Sequence, residues 1–451
     1  MATGQVNRVA SSHGACMNKT PELPRIPNAE KALIFVIFSM LFVIRLFVTA
    51  RLSQLGVFEQ YNVFFDADPN QYVSAISDGW SFGRSVHPAF ALLLNVPTRA
   101  LDFVAAYLGI ISPGTIRSVA PMVAAPLFSC LGGLWWWAAS WRAGFSIPAR
   151  IAGVLFFQLS FSETVFSVLP ESYALSGALF SALLFLSVKA AQDPNTLNSK
   201  WVRIQWLALA CLMSGVTVTN GFLCIAVWVS IRFEKKWPRR AITEGVIAAG
   251  ILGGAIVTMV AADRFVYQLP KDTHQTSVED ISKWTQSGIS SVLDRAAGIP
   301  ASYVASVFSP GVEKIPNVLA QPNHHHQYGF GLESNSKSQS LMVLGWLAIG
   351  ALAARLLQQR SCPIILRAIG AVLISNGILH SFFGTETFLY SQHWLPFLTF
   401  AMILPVSKSV SWRSNAILLI LVFTTLALSL HAWIGMFEIL NSAFQATSYP
   451  R

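Results

Sequence analysis

Residues 32–50 read ALIFVIFSMLFVIRLFVTA, and this run decides the fold class. It contains one charged residue, Arg45, and at about 1.5 Å per helical residue it can cross a hydrocarbon core of roughly 30 Å. The pattern predicts an all-α polytopic membrane protein with about 11 transmembrane helices. Further apolar runs lie at 118–140, 150–168, 172–190, 204–231, 243–262, 341–357, 363–382, 394–406 and 413–436.

The composition agrees with a membrane protein. Charged residues make up only 12% of the 451 residues and hydrophobic residues 53%, whereas a soluble domain carries about 25% charged residues. These values exclude a soluble enzyme, a disordered protein and a fibrous repeat. The net charge of +10 indicates basic loops on the cytoplasmic side of a membrane rather than a nucleic-acid partner. The five cysteines are scattered and predict neither a disulfide framework nor a metal site.

Basic residues orient the chain. The run 89–111 is interrupted by Asn95, Pro97, Arg99 and Asp102, which favours an interfacial helix on the outer face. The inside loops then contain more than half of the 31 Lys and Arg, whereas a spanning 89–111 would put most of these outside, against the positive-inside rule. We therefore expect a cytoplasmic amino terminus without a cleavable signal. Most of the 21 Asp and Glu fall on the outer face.

This orientation predicts a modular layout. The polar centre Thr217–Gly221 favours two short helices meeting at a membrane face within 204–231, one long helix being the alternative. The predicted units are a cytoplasmic tail at 1–31, an amino-terminal transmembrane module at 32–262 with a first outer loop at 51–117, an outer loop at 263–339 that could act as a lid, and a carboxy-terminal transmembrane module at 340–451.

The first outer loop contains FFDADPNQY at 64–72. Two carboxylates two residues apart, Asp66 and Asp68, can share a divalent cation such as Mg²⁺ or Mn²⁺, or one can act as a base while the other positions it. Alternatively, Asp68 caps a helix that starts near Asn70, which leaves Asp66 unexplained. Further on, His87 can contact a phosphate or simply end a loop.

Two carboxylates lie in or beside the third apolar run. Glu163 falls within that run, at a cost of roughly 3 kcal/mol on insertion scales, so it needs a partner or a water-filled cavity. Glu171 lies at the outer mouth, where it can take part in chemistry or interact with the dipole of the following helix. The intramembrane Arg45 is expected to snorkel or to pair with a carboxylate.

The last outer loop is dense in polar and aromatic residues. Glu386, Tyr390 and His393 would face the same surface as Asp66 and Glu171, and Tyr390 and His393 could bind a lipid phosphate. An aromatic belt at the interface would explain Tyr390 but neither Glu386 nor His393. The triplet at 324–326, three histidines in a row, indicates a solvated loop rather than a metal site.

Taken in order, these features resemble the GT-C superfamily of integral-membrane glycosyltransferases, such as protein O-mannosyltransferases and bacterial aminoarabinose transferases. The shared pattern covers most of the chain. It comprises a first span, an acidic outer segment with Asp66, Asp68 and Tyr72, the sequence HPAF at 87–90, Pro170-Glu171 at a span boundary, the kink at 215–220 and a late motif at 390–396. Two features depart from it: His393 stands where relatives often carry Arg, and 263–339 matches no part of the pattern.

The resemblance implies an outward-facing site that uses a polyprenyl-phosphate sugar donor, with a glycan, lipid or protein as acceptor. Asp66 would be the catalytic base, and Asp68 and Glu171 would position a divalent cation or the acceptor hydroxyl. His87 and His393 would bind the carrier phosphate, with Arg84 as a further source of positive charge, and Tyr72, Glu386 and Tyr390 would complete the substrate site. A bacterial inner membrane is the expected location.

Two other classes of protein remain open. A transporter or flippase for a lipid-linked or polar solute would need polar residues along a path through the bilayer, and Arg45, Glu163 and 217–220 are few. An envelope acyltransferase would need a catalytic histidine, for which His87 and His393 are candidates. The sequence has no P-loop, dinucleotide-binding or HExxH motif, which argues against an ATP-driven pump and an intramembrane zinc protease.

Overall fold

The computed structural model describes residues 26–59, 65, 67, 69–79, 87–233, 238–269, 289–309, 312–316, 328–332, 363–382, 387–407 and 411–447. These residues are almost entirely helical. The first half comprises α1 (Asn28–Gln54), α2 (Pro69–Ser77), α3 (Phe90–Tyr107), α4 (Thr115–Arg142), α5 (Ile147–Leu159), α6 (Phe161–Phe166), α7 (Ser172–Gln192), α8 (Lys200–Val216) and α9 (Val218–Arg232).

The second half contains the one hairpin of strands that the described residues form. Its elements are α10 (Pro238–Tyr267), α11 (Ile289–Val307), β1 (Val312–Pro316), β2 (Tyr328–Leu332), α12 (Pro363–Phe382), α13 (Leu395–Ile403) and α14 (Trp412–Thr447). The strands pair antiparallel, with Val312 opposite Leu332. Short 3₁₀ helices occur at Val57–Glu59, Pro194–Asn198, Thr387–His393 and Leu404–Val406.

Within these described ranges, six helices are long and apolar enough to cross a membrane: α1, α4, α7, α10, α12 and α14. Three shorter apolar helices accompany them, at Ile147–Leu159, Val218–Arg232 and Leu395–Val406. The chain is thus compatible with an integral membrane protein. The apolar run at 341–357 lies outside the described residues.

Two local predictions about helices are confirmed. The segment 204–231 forms two helices, because Thr217 has extended backbone angles (φ −153°, ψ 124°) between α8 and α9. The helix expected near Asn70 begins at Pro69, a residue whose fixed φ suits the first turn. Run 89–111 forms the amphipathic helix α3 and is not among the six long apolar helices.

Asp102, which interrupts the apolar pattern of α3, ties that helix to the start of α4. Its carboxylate accepts hydrogen bonds from the backbone N–H groups of Gly114 (2.8 Å) and Ile116 (2.9 Å) and contacts Arg117 Nε at 3.3 Å. Burial opposes ionisation, but these hydrogen bonds and the Arg117 charge outweigh it, so the pKa of Asp102 is lowered. The residue therefore has a structural role at a helix amino terminus.

The segment 263–339, expected to be an outer loop, contributes a helix that packs on the core. In α11, Ile299 and Tyr303 are buried, and the Tyr303 hydroxyl donates to the Leu373 carbonyl of α12 at 2.5 Å. The Tyr303 ring also packs on Trp394, 4.9 Å between centroids. The histidine triplet at 324–326 lies outside the described residues.

A buried ion pair connects the amino-terminal turns of α1 and α5. Arg150 of α5 donates to both carboxylate oxygens of Glu30, at 2.7 and 2.5 Å, and to the Phe145 carbonyl at 2.9 Å. The Trp137 indole donates to the same carboxylate at 3.0 Å. This arrangement joins α1, α4 and α5 at one point.

We predict that Glu30→Ala lowers the free energy of unfolding in mixed micelles by about 3–5 kcal/mol, because it leaves the buried Arg150 guanidinium without its carboxylate. The double variant Glu30→Met/Arg150→Met should lose clearly less, since it removes both charges. Lys31→Ala, at the neighbouring exposed position, serves as the control. A single variant no less stable than this control would contradict the assignment.

Candidate functional site

The site residues predicted from the sequence divide into two sets. Those that the structure describes lie around the first turn of α7, and they are Tyr72, His87, Glu171, Tyr390 and His393. Those outside the described residues are Asp66, Asp68, Arg84 and Glu386.

Tyr72 and His87, 15 residues apart in sequence, are in direct contact. His87 Nδ1 lies 2.5 Å from the Val216 carbonyl and 3.2 Å from Thr217 Oγ1, so we assign the ring proton to Nδ1. Nε2 then accepts a hydrogen bond from the Tyr72 hydroxyl at 3.0 Å. Burial lowers the pKa of His87, and the Val216 carbonyl only partly offsets this, so the imidazole is neutral at pH 7.

The break between α8 and α9 positions His87. The break exposes the last backbone groups of α8 to the loop before α3, and Ala89 N–H donates to the Gly215 carbonyl at 2.9 Å. A Cβ on Gly215 would lie 3.0 Å from the Ala89 side chain, so a glycine lets the two segments approach. Phe90 packs edge-on against Tyr72, 5.0 Å between ring centroids.

The start of α7 connects this pair to a second group of aromatic residues. Glu171 is buried and precedes the helix without capping it, and the Ser172 hydroxyl donates to the Tyr72 hydroxyl at 3.4 Å. The next ring, Tyr173, is perpendicular to Tyr390 at 6.1 Å. The consecutive residues Ser172 and Tyr173 therefore contact the two halves of the candidate site, one each.

The second group is centred on His393. Its ring stacks on Phe180 at 5.3 Å and lies 5.8 Å from Tyr390 and 6.0 Å from His380, and His380 in turn stacks on Tyr390 at 4.1 Å. His393 is only 1% exposed, yet within the described part of the chain neither of its ring nitrogens has a hydrogen-bond partner. Buried polar atoms rarely stay unsatisfied, so a ligand or water is the expected partner.

Three histidines converge at this place. Burial lowers the pKa of His393 well below its usual value, and positive charge on His380 or His87 would lower it further. His393 is neutral at pH 7, and it offers one N–H donor rather than a fixed cation.

Buried hydrogen bonds to α6 hold the 3₁₀ helix that contains Tyr390 and His393. Gln392 donates to the Ser162 hydroxyl at 3.0 Å and also to the carboxylate of Glu163, while Ser162 and Ser391 share a short hydrogen bond. Glu163 therefore has the partners that its position in an apolar run requires.

The chain on either side of Asp66 packs against the same 3₁₀ helix. Phe65 is fully buried, 4.7 Å from Phe388 and 5.8 Å from Phe161 between ring centroids, and Ala67 is buried as well. Phe65 has a φ of +51°, an uncommon conformation for a bulky residue, and strained backbone of this kind clusters at functional sites.

Sequence reasoning missed several residues of this site. Ser172, Tyr173, Phe180, His380 and Gln392 received no role, although His380 begins the polar segment that predicted Tyr390 and His393. Phe180 and Gln392 carry no sequence signal, because their role depends on α7 packing against the 3₁₀ helix. Thr217 was noted only as part of a kink, and it contacts His87 there.

No protein-family model matches the chain, and no curated protein matches it in sequence. Among the described residues, no group of three or more His, Cys, Asp or Glu side chains could hold a metal ion.

Close packing of α7 on the 3₁₀ helix gives a testable prediction. A Cβ on Gly177 would overlap the buried Gln392 amide, so Gly177→Ala should lower the free energy of unfolding by about 1–3 kcal/mol. Gly370→Ala on α12 is the matched control: its Cβ meets nothing within 4 Å, and it should be neutral or slightly stabilising. Equal effects of the two variants on unfolding in mixed micelles would refute this packing.

Proposed function

We propose that the protein is a membrane glycosyltransferase that moves a sugar from a polyprenyl-phosphate donor to an acceptor hydroxyl on the non-cytoplasmic face. The acceptor is a cell-envelope glycan, a lipid or a protein. The proposal includes about 11 membrane crossings in a bacterial inner membrane. It also includes a cytoplasmic amino terminus, which the charge distribution favours. The resemblance of the sequence to GT-C enzymes supports the same reaction class.

The convergence of three histidines and three tyrosines at the amino end of α7 carries the proposal. His87 with Tyr72, and His393 with Tyr390, come from segments about 300 residues apart. The adjacent residues Ser172 and Tyr173 connect them, since Ser172 contacts Tyr72 and Tyr173 contacts Tyr390. A phosphate-linked sugar needs N–H and O–H donors for its oxygens, and this cluster concentrates them. The amino terminus of α7 adds a favourable dipole for an anion.

The proposed reaction is a single displacement. The acceptor oxygen attacks the anomeric carbon while Asp66 takes the hydroxyl proton. The bond between that carbon and the phosphate oxygen breaks, and its electron pair leaves with the polyprenyl phosphate. His393 donates a hydrogen bond to the developing charge on the phosphate. His87 does the same once its Nε2 has taken up a proton and given up the hydrogen bond from Tyr72. Packing of Phe65 and Ala67 beside the histidine cluster supports the assignment of Asp66 to this site.

Asp68 and Glu171 position the acceptor in this proposal. Glu171 is buried immediately before Ser172, which contacts Tyr72, so it belongs to the same cluster. Asp66 and Asp68 would hold a divalent cation, Mg²⁺ or Mn²⁺, which would supply additional positive charge near the phosphate. Arg84 and Glu386 complete the proposed substrate-binding set.

The contacts of the intramembrane polar residues favour surface chemistry over transport. A transport path would need such residues to face a channel, but Arg45 donates to Gln158 and Glu163 accepts from Ser129. These groups satisfy each other within the core, which leaves the cluster at the end of α7 as the site for a ligand.

Asp66→Asn should reduce sugar transfer at least about 100-fold, the usual range for loss of a general base. The assay measures transfer from radiolabelled polyprenyl-phosphate sugars by the purified protein in detergent, with and without a chelator. Loss of activity on chelation would assign a metal to Asp66 and Asp68, whereas retention would leave them as acid–base residues.

Asp193→Asn, at the opposite end of α7, is the control and should keep full activity. Full transfer by Asp66→Asn would remove the central claim. Failure of well-folded wild-type protein to transfer from any donor would favour the transporter instead.

The histidines predict a pH dependence of donor binding. A bound phosphate raises the pKa values of His87 and His393, which burial holds low in the free protein, so binding takes up protons. The apparent donor affinity should therefore fall as pH rises through the window between free and bound pKa values. His393→Gln should raise the donor KM and weaken this dependence, whereas His431→Gln on the exposed face of α14 should change neither. A donor KM that stays constant between about pH 5 and 8 would contradict this role.

A further inference from the structure

A cavity of about 210 Å³ lies between α8, α9 and α10, at the end of the bundle opposite to the histidine cluster. It is smaller than the roughly 300–1,000 Å³ of most small-molecule pockets and is almost entirely apolar. We call it the basic groove, and its lining residues include Arg203, Trp206, Trp228, Glu244, Ile247, Ala248 and Ile251.

The apolar part of the basic groove opens to the outside of the bundle. Trp206 and Trp228 form its inner wall, with ring centroids 5.2 Å apart. On the outer wall, Ile247 and Ile251 of α10 are 58% and 49% exposed. Only 11% of the most apolar window of α10 is buried, so this helix faces mainly away from the rest of the protein. In a membrane, such a surface contacts lipid chains.

At the other end of the basic groove, the described residues include three arginines that share one carboxylate. Glu244 forms salt bridges with Arg232, Arg240 and Arg203, with N···O distances of 2.8, 3.3 and 3.7 Å. One carboxylate neutralises one of these three guanidinium groups. The Arg203 and Arg240 side chains are 42% and 59% exposed, so they remain accessible to an anion from outside. Arg232 is nearly buried and also lies over the Trp228 ring, 5.6 Å from its centroid.

We propose that the basic groove binds one anionic phospholipid, with its phosphate at Arg203 and Arg240 and one acyl chain between Trp228 and α10. An apolar slot that ends in two exposed arginines, which share one carboxylate with Arg232 among the described residues, complements a ligand with a hydrocarbon chain and an anionic head. The lipid belongs to the leaflet at the arginine end, which is the cytoplasmic one in the proposed orientation. The inference does not depend on the transferase activity.

Binding would attach α10 to the α8–α9 hairpin. Because the lipid binds only the folded protein, it should raise the melting temperature, and the rise should grow with the logarithm of one plus the ratio of its concentration to its Kd. The probes are phosphatidylglycerol, phosphatidylcholine with the same chains, and inorganic phosphate, each added to the full-length protein in detergent. We expect a rise in Tm with phosphatidylglycerol alone and a one-to-one adduct in native mass spectrometry.

Two variants test the two halves of the groove. Arg203→Ala/Arg240→Ala keeps the Arg232–Glu244 pair and should weaken phosphatidylglycerol binding roughly 30-fold, at about tenfold per 1.4 kcal/mol and near 1 kcal/mol per basic residue. Ala248→Phe keeps all arginines, fills the slot and should reduce binding to a similar degree. Arg413→Ala is the matched control, because Arg413 lies over an exposed tryptophan, Trp412, with its guanidinium 5.7 Å from that ring.

Each contrary result overturns a defined part of the proposal. Equal stabilisation by phosphatidylcholine would exclude recognition of the anionic head. An equal effect of inorganic phosphate would show that the groove binds a free anion rather than a lipid. Unchanged binding in Ala248→Phe would exclude the acyl chain from the slot, and this variant also decides the matter if the double arginine variant does not fold.

Discussion

The rest of the core depends on the hydrogen bonds that Arg45 makes with Gln158. Arg45 is a cation in the middle of a long apolar helix, which costs roughly 3 kcal/mol on insertion scales unless the charge is satisfied. Its guanidinium donates to the Gln158 side chain at 2.6 Å and to the Gln158 backbone carbonyl at 2.9 Å. That carbonyl is free because α5 ends one residue later, so the buried cation and the helix break stabilise each other.

The same helix break leads to the candidate site. Gln158 also reaches Glu163 at 3.4 Å, and Glu163 with Ser162 anchors Gln392. Gln392 precedes His393, whose two ring nitrogens have no hydrogen-bond partner among the described residues. A continuous chain of buried polar groups therefore runs from α1 through the α5–α6 break to the histidine cluster. Rigid support of this kind is what holds functional side chains in a fixed geometry.

The sequence predicts the features of this structure that depend on neighbouring residues, and it misses contacts between residues that lie far apart in the chain. The break at Thr217 and the helix start at Pro69 follow from local chemistry, and the sequence predicted both. Arg45 was expected to snorkel or to pair with a carboxylate, but its main partner is the amide Gln158, 113 residues away. Tyr72 and His87 were each selected as candidates, yet their contact required the Gly215 and Val216 carbonyls from a distant helix end. Residues such as Phe180 have no local signal, since only packing gives them a role.

The histidine cluster at the start of α7 and the arginines of the basic groove differ in whether their positive charge is permanent. At the start of α7, burial keeps the histidines neutral, so positive charge develops only when an anion arrives. At the basic groove, three arginines share Glu244, and the positive charge is permanent. A permanent charge suits a lipid that stays bound, because arginine cannot release its proton. A neutral histidine cluster suits an anion that must come and go, because its charge can follow the ligand. The difference in residue type is therefore a physical reason to assign turnover to one end and lasting attachment to the other.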